Sequence, residues 1–432
     1  MAAEPAGLVS FEQARHMVED HASRLRPRGG ELLGLLDANG RVLAEPIHAD
    51  RDFPPFPRAA RDGYAVRAAD LEVLPATLEV IGEIKAGAAP GQIPQITSGK
   101  AVAIMTGAAA PVGADAVVMV EHTSRAGGRV EITRSASAGE NIVPAGSEAK
   151  RGDRLLSPGA RISYAEIAVA AAVGRSRLLV YARPRVAVLA TGDEVVDVDV
   201  PPRPNQIRNS NTYSLAAQIQ AAGGEAVLLP IAPDEPCRLR ELLKEGLEAD
   251  LLLIAGGVSM GKYDLVEQVL AEMKVEFFFT GAKIQPGKPI VFGRVACGAG
   301  APSTGSGQAP AREAAPMTER YKYFFGLPGN PTSTMVTFEL FARPVIEALA
   351  GMAARKLNFM HAKLKTSIQT RIGLKRFLPA SLSGEFEAAE VELVKWLGSG
   401  DIAAVARANC YVVVPPNRER IEVGEWVAVL PR

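Results

Sequence analysis

Three short segments carry residues whose types and spacing suit ligand chemistry: Ile254-Ala-Gly-Gly-Val-Ser-Met-Gly-Lys-Tyr-Asp264, Ile284-Gln-Pro-Gly-Lys-Pro289 and Gly326-Leu-Pro-Gly-Asn-Pro-Thr-Ser333. In the first, Gly256 and Gly257 leave an apolar run without bulky side chains, so a ligand can approach backbone N–H groups, and Ser259 adds a hydroxyl. A phosphate or a pterin ring would fit there. In the third, Asn330, Pro331, Thr332 and Ser333 place hydroxyls and free amides at a helix start, an anion-binding arrangement. Lys288 is a point charge beside a rigid turn, suited to an anionic substrate. Thr191-Gly-Asp-Glu194 ends a further strand pattern with carboxylates that suit Mg²⁺.

Each segment also has a plain structural reading. Gly-Gly turns a chain, Asp264 with Glu267 caps a helix, and Asn-Pro-Thr-Ser does the same with no ligand. Gly281 to Lys288 is not a P-loop, because the glycine spacing is wrong and Pro289 stands where Ser or Thr is required. Gly257-Val-Ser-Met-Gly261 matches the nucleophile elbow, which makes an α/β serine hydrolase built on Ser259 a rival reading. That enzyme needs a downstream histidine, and the one available, His361, falls at the boundary of the last domain.

The elements that must hold these loops follow from periodicity. Ser10 and Gln13 form a capping box for a helix with Phe11, Ala14, Met17 and Val18 on one face. A β-rich texture follows, with Gly127-Gly128 as a hairpin turn. From Pro184 strands and helices alternate: strand 185–190, helix 212–222, strand 225–229, helix 235–247, strand 250–254 and strand 323–327. This repetition predicts a largely parallel, doubly wound sheet with its ligands at the strands' carboxyl ends. Asn330 then caps a helix running to about Ala350, and a small β domain closes the chain. Residues 298–316, rich in Gly, Ala, Pro and Ser, read as a surface loop.

Composition narrows the function classes. At 432 residues and 47% hydrophobic, the chain has material for two to four cores. Lys plus Arg equals Asp plus Glu at 48 each, which disfavours nucleic acid and anionic membranes as partners. Three scattered cysteines, Cys237, Cys297 and Cys410, form neither a disulfide framework nor a thiolate metal site and fit a reducing cytoplasm. The first residues lack the pattern of a signal peptide, and no apolar run reaches membrane length, so a soluble cytoplasmic protein is expected.

In order along the chain, Arg61-Asp-Gly-Tyr-Ala-Val66, Ile104-Met-Thr-Gly107, Gly113-Ala-Asp-Ala-Val-Val118, Ala190-Thr-Gly-Asp-Glu194, Asn209-Ser-Asn211, the Gly-Gly-Val-Ser loop, Pro-Gly-Lys-Pro and Leu-Pro-Gly-Asn-Pro resemble the molybdopterin molybdenumtransferase family. That family includes the C-terminal enzymatic part of the scaffold gephyrin. The resemblance spans nearly the whole chain and implies four domains: 1–50 with 148–182 as an N-terminal, linking domain, 51–147 as a β-rich module, 183–352 as the molybdopterin-binding α/β domain, and 353–432 as a barrel-like C-terminal β domain. It also implies a homodimer whose active site is shared between subunits, with molybdopterin adenylyltransferase and other molybdenum cofactor pathway proteins as partners. The implied reaction inserts molybdate into the dithiolene of adenylylated molybdopterin with Mg²⁺, releasing AMP and molybdenum cofactor. A family member that binds the pterin or acts as a scaffold, without inserting metal, is the alternative.

Carried over by position, Asp62, Thr106, Glu194, Asp234, Asp264 and Lys288 form the implied catalytic set, with Glu194, Asp234 and Asp264 as metal ligands. Gly256, Gly257, Ser259, Pro328, Asn330, Ser333 and Ser399 line the implied substrate pocket. The chain departs from the family pattern at Ala59, Ala60, Arg61, Glu148 and Lys262, and Pro379 stands where an arginine is common. Gln285 replaces a common lysine. Lys283, two residues earlier, would share its face in a continuous strand and join the substrate set.

Overall fold

The computed structural model describes residues 7–258, 265–296, 321–385 and 389–432. Ser259, Lys262, Asp264 and the 298–316 segment lie outside them.

The capping box forms: the Ser10 hydroxyl accepts from the Gln13 N–H at 3.1 Å, and the Gln13 side chain accepts from the Ser10 N–H at 2.9 Å. The helix Phe11–Ser23 turns Phe11, Ala14, Val18 and Ala22 inward, and this stripe joins the core beneath the α/β sheet. Burying such a Val or Phe contributes about 1.5–3 kcal/mol relative to exposure. A smaller core around Leu43, Ile47, Ile162, Ala170 and Leu178 packs where Gly30–Gly34 pairs with Arg177–Tyr181.

The β-rich region folds as a six-stranded sheet in the spatial order Ala116–Met119, Gly63–Val66, Lys100–Ile104, Ala76–Ile84, Arg129–Ile132, Thr123–Ala126. The last two strands are the hairpin turned by Gly127 and Gly128. Gly63 is required by close approach, because a Cβ there would lie 1.9 Å from the Val118 carbonyl oxygen. This packing fixes the start of the strand that follows Asp62.

The α/β region is also six-stranded, in the order Glu225–Leu228, Arg185–Ala190, Leu251–Ala255, Tyr321–Leu327, Val291–Ala296, Glu276–Phe279. The first four strands run parallel, and Val291–Ala296 is antiparallel to both of its neighbours, Tyr321–Leu327 and Glu276–Phe279. Strand Leu251–Ala255 is buried at every position, which explains its continuous apolar run. The helix expected from Asn330 to Ala350 contains a π-helical turn at Phe338–Ala342, between Pro331–Thr337 and Arg343–Leu349. The apolar spacing persists through that turn, so periodicity does not mark it.

In the C-terminal region, Lys375–Ser383, Glu390–Leu393, Met360–Leu364, Trp426–Pro431 and Cys410–Val414 close into a five-stranded barrel, since the last pairs back to the first. The two-residue strand Ile284–Gln285 adds to its outside, in register with Lys375 and Arg376. Barrel and α/β region are thereby joined by main-chain hydrogen bonds. Among the described residues no helix is long and apolar enough to cross a membrane.

Candidate functional site

A cleft of about 1530 Å³ lies where the carboxyl ends of the parallel strands face the barrel. Strand 185–190 delivers the loop from Thr191 to Glu194, and strand 251–255 delivers Gly256 and Gly257. Both glycines have positive φ, +99° and +64°, a region that L side chains avoid. A Cβ at Gly257 would also lie 2.4 Å from Val266 Cγ2. The turn therefore admits no side chain; the Gly256 N–H donates to the Leu327 carbonyl at 3.1 Å, and Gly257 is exposed at the cleft.

The acidic end of the cleft is built from two loops. The Asp193 carboxylate accepts from the Asp234 N–H at 3.0 Å, tying 191–194 to the start of the helix Pro236–Gly246. Glu194 folds back over Gly192, where a Cβ would stand 2.5 Å from Glu194 Oε2. Burial, then the charges of Asp193 and Glu194, hold the Asp234 carboxyl above the usual aspartate value. Such a cluster is eased by a cation. Glu194 and Asp234 both line the cleft and supply the hard oxygen donors that a divalent ion takes, so these residues fit Mg²⁺. Among the described residues no three acidic, histidine or cysteine side chains converge as a metal site, and Asp264, the third expected ligand, lies outside them.

Basic and polar groups line the cleft as well. Lys288, half-buried, lines the cleft beside Gln285 and Pro286, and Arg371, Arg376 and Ser399 reach it from the barrel. Asn330 does not cap its helix through its side chain, as the sequence suggested. Its Nδ2 instead donates to Ser399 Oγ at 2.9 Å, while the Thr332 N–H donates to the Ser399 carbonyl at 3.1 Å. The helix start is occupied by the barrel loop, which explains why the side chain leaves its capping position. Pro328 and Ser333 also border the cleft.

Glu194, Asp234, Gly256, Gly257, Lys288, Pro328, Asn330, Ser333 and Ser399 are thus brought to one cavity. Asp62 and Thr106 are not: they sit together in the β-rich module, where the Asp62 carboxylate accepts from Thr106 N–H at 2.6 Å and Oγ1 at 2.8 Å. Those bonds hold the Asp62 carboxyl below the usual aspartate range. Lys283 is exposed and does not line the cleft, whereas Gln285 does. The shared-face expectation fails because 281–285 is not one strand: Gly281–Ala282 pairs with Leu8–Val9, and Ile284–Gln285 pairs with the barrel. His361 is exposed on a barrel strand and does not line the cleft, so the histidine of the hydrolase reading is misplaced.

Several lining residues are not in the predicted site set. Asn211 donates to the Gly329 carbonyl at 2.8 Å, locking two cleft loops together. Thr191 Oγ1, Asn211 Oδ1 and Trp396 Nε1 are buried at the cleft without a hydrogen-bond partner among the described residues. Arg371, Arg376 and Trp396 come from a domain whose sequence shows only strand alternation.

Comparison with known proteins gives concordant matches. Residues 9–174 match the MoeA N-terminal region (domain I and II), 187–348 a probable molybdopterin binding domain, and 361–431 the MoeA C-terminal region (domain IV). The chain is 36% identical to a molybdopterin molybdenumtransferase of Nostoc sp., over 93% of this chain and 88% of the relative. It is 32% identical to molybdopterin molybdenumtransferase 1 of Mycobacterium tuberculosis, over 92% of this chain and 93% of that one. A crystal structure of the molybdopterin biosynthesis moeA protein of Pyrococcus horikoshii OT3 superposes with a TM-score of 0.74 at 26% identity, covering 98% of this chain and 100% of that chain.

Proposed function

This chain belongs to the MoeA family of molybdopterin molybdenumtransferases, enzymes of molybdenum cofactor biosynthesis, and we propose that it inserts molybdate into the dithiolene of adenylylated molybdopterin, releasing AMP. The observation that carries this reading is one cleft lined both by carboxylates, Glu194 and Asp234, and by basic side chains, Lys288 among them.

In this reading the side-chain-free turn at Gly256 and Gly257 takes the pterin and its phosphate at exposed Gly257, the Gly256 N–H being engaged by the Leu327 carbonyl at 3.1 Å. Glu194 and Asp234 hold Mg²⁺, which offsets charge on the nucleotide's phosphates. Lys288 stabilises the oxyanion and the charge that develops as the phosphate bond breaks. Asp62 and Thr106, outside this cleft, act from the facing module of a second subunit in a homodimer. Molybdopterin adenylyltransferase is the partner that supplies the adenylylated substrate.

The test supplies the purified chain with adenylylated molybdopterin, Mg²⁺ and molybdate, and follows AMP release and reconstitution of a cofactor-free molybdoenzyme. Both products, lost together in Glu194→Gln, are expected. Tight binding of the adenylate with neither product would overturn insertion and leave a pterin-binding protein.

A further inference from the structure

Residues 8–12 touch both walls of the cleft without entering it. Leu8–Val9 pairs in parallel with Gly281–Ala282, and the Lys283 N–H donates to the Val9 carbonyl at 2.8 Å. The Lys283 carbonyl in turn accepts from the Lys375 N–H of the barrel at 3.0 Å. One residue back, the Ala282 N–H donates to the Lys288 carbonyl at 3.0 Å, closing the turn that carries Lys288 into the cleft. The N-terminal strand, the base of the Lys288 turn and the first barrel strand therefore meet at Ala282 and Lys283.

The helix that follows repeats this pattern with side chains. The Phe11 ring, only 8% exposed, lies 5.5 Å from the Phe377 ring of the barrel and 6.0 Å from the Phe341 ring of the α/β region. Glu12 pairs with Lys375, whose ammonium also stands 4.6 Å from the centre of the Phe11 ring. Arg15, one turn on, donates to the Leu340 carbonyl within the π-helical turn and fastens the helix to the α/β side. None of Leu8, Val9, Phe11 and Glu12 lines the cleft. Residues 286–290 belong to no helix or strand, so the Lys288 turn takes its position from what grips its ends.

We propose that Phe11 and Glu12 are positioning residues for the reaction, the side-chain part of an N-terminal strap that holds the Lys288 turn and the barrel wall at one mutual spacing. This deepens the transferase reading, on which the role of Lys288 rests. A fixed charge stabilises a transition state only where it is correctly placed, and a misplacement of about 1 Å can cost about 100-fold in rate. A turn without regular structure supplies little of that placement itself. The strap supplies it from outside the cleft, by an aromatic wedge between the two walls and an ion pair to the barrel.

The test compares the full-length wild type with Phe11→Ala, Phe11→Leu, Glu12→Lys, and Glu12→Lys combined with Lys375→Glu, at a temperature where urea unfolding shows each to be folded. One readout is amide hydrogen exchange in 281–290, with strand Leu251–Ala255 as the reference. The other is molybdate-dependent AMP release, resolved into kcat and KM for the adenylate. Phe11→Ala should speed exchange in 281–290 by about 10-fold and leave the reference strand unchanged. Its kcat should fall about 10-fold while KM moves by no more than about threefold, because the lost placement is felt in the transition state. Phe11→Leu refills most of the wedge and should recover most of both. Glu12→Lys sets two ammonium groups against each other and should lower kcat by about threefold, and adding Lys375→Glu should restore it.

A merely structural Phe11 would lower the unfolding free energy and leave kcat per folded molecule, and exchange in 281–290 relative to the reference, unchanged; that result overturns the proposal. Faster exchange with unchanged kcat overturns it too, since the turn would then loosen without consequence for the reaction. If Phe11→Ala does not fold, the charge pair decides: an unchanged kcat in Glu12→Lys, or no recovery on adding Lys375→Glu, refutes the strap. Should the wild type release no AMP, the transferase reading falls, and exchange in 281–290 alone decides whether the strap holds the turn.

Discussion

Asp62 and Asp234 are both aspartates at the ends of turns, yet their surroundings drive them in opposite directions. Asp62 accepts two hydrogen bonds from Thr106, and its carboxyl is held below its usual value. Asp234 is pushed above it, by burial first and by Asp193 and Glu194 next. One is a satisfied acceptor that fixes a loop; the other is a carboxylate in need of a counter-charge. The cleft carries both signs of charge: Glu194, Asp234 and Arg208 line it from the α/β loops, and Lys288, Arg371 and Arg376 from the wall formed with the barrel. A site lined by both carboxylates and basic side chains has donors for a cation and for an oxyanion.

The most damaging change to this division removes charge at the basic end. Lys288→Ala is expected to lower molybdate-dependent AMP release by about 100-fold, the scale of losing one preorganised electrostatic contact. Initial rates at saturating adenylate would check it, and a rate within threefold of wild type would remove Lys288 from the catalytic set.

Next in size is a change to the scaffold behind that lysine. Gly287 has φ +103°, and a Cβ there would lie 2.3 Å from Thr337 Cγ2. Thr337 cannot step aside freely, because its hydroxyl donates to the Ser333 and Thr334 carbonyls. Gly287→Ala should therefore cost about 2–4 kcal/mol from overpacking plus left-handed backbone strain, read by urea unfolding.

The parts of the site that could be read from sequence are those delivered by local rules. A strand ending in Gly-Gly needs its glycines for backbone reasons, and Gly256 and Gly257 have the expected positive φ. The Ser10 capping box is local too. Arg376 was invisible because its side-chain partner, Gln285, lies 91 residues away in the sequence. Lys283 misled for a related reason: strand alternation holds only within one strand, and the chain changes partner between Ala282 and Ile284. Asn330 looked like a cap because sequence shows the helix start and not the Ser399 loop that competes for its side chain.

The acidic end offers a subtler test through pH. A carboxyl whose folded pKa is raised binds its proton more tightly in the folded chain than in the unfolded one. Its favourable contribution is therefore complete below the ordinary value of 3.8 and is lost as pH rises through the raised value. Asp234→Asn removes a carboxyl set beside Asp193 and Glu194, and at neutral pH it should melt slightly higher than wild type in a metal chelator. Mg²⁺ should then raise the wild-type melting temperature and leave the variant nearly unmoved. An equal Mg²⁺ response in both proteins would place the cation elsewhere.

The smallest expected effect lies where the two walls meet. Asn330 Nδ2 and Ser399 Oγ form a neutral hydrogen bond between residues that are not fully buried, worth about 0.5–1.5 kcal/mol. Ser399→Ala removes that bond but keeps the Thr332 N–H to Ser399 carbonyl contact, since the latter is backbone. The barrel loop should remain docked, with a small loss of stability. If Ser399 only joins the walls, Asn330→Ala will match Ser399→Ala in both stability and molybdate affinity. If its hydroxyl also meets the oxyanion, Ser399→Ala will weaken molybdate binding severalfold more than Asn330→Ala at equal stability. Equilibrium dialysis of the pair separates the two, because the hydrogen bond is common to both variants and the hydroxyl is lost in only one.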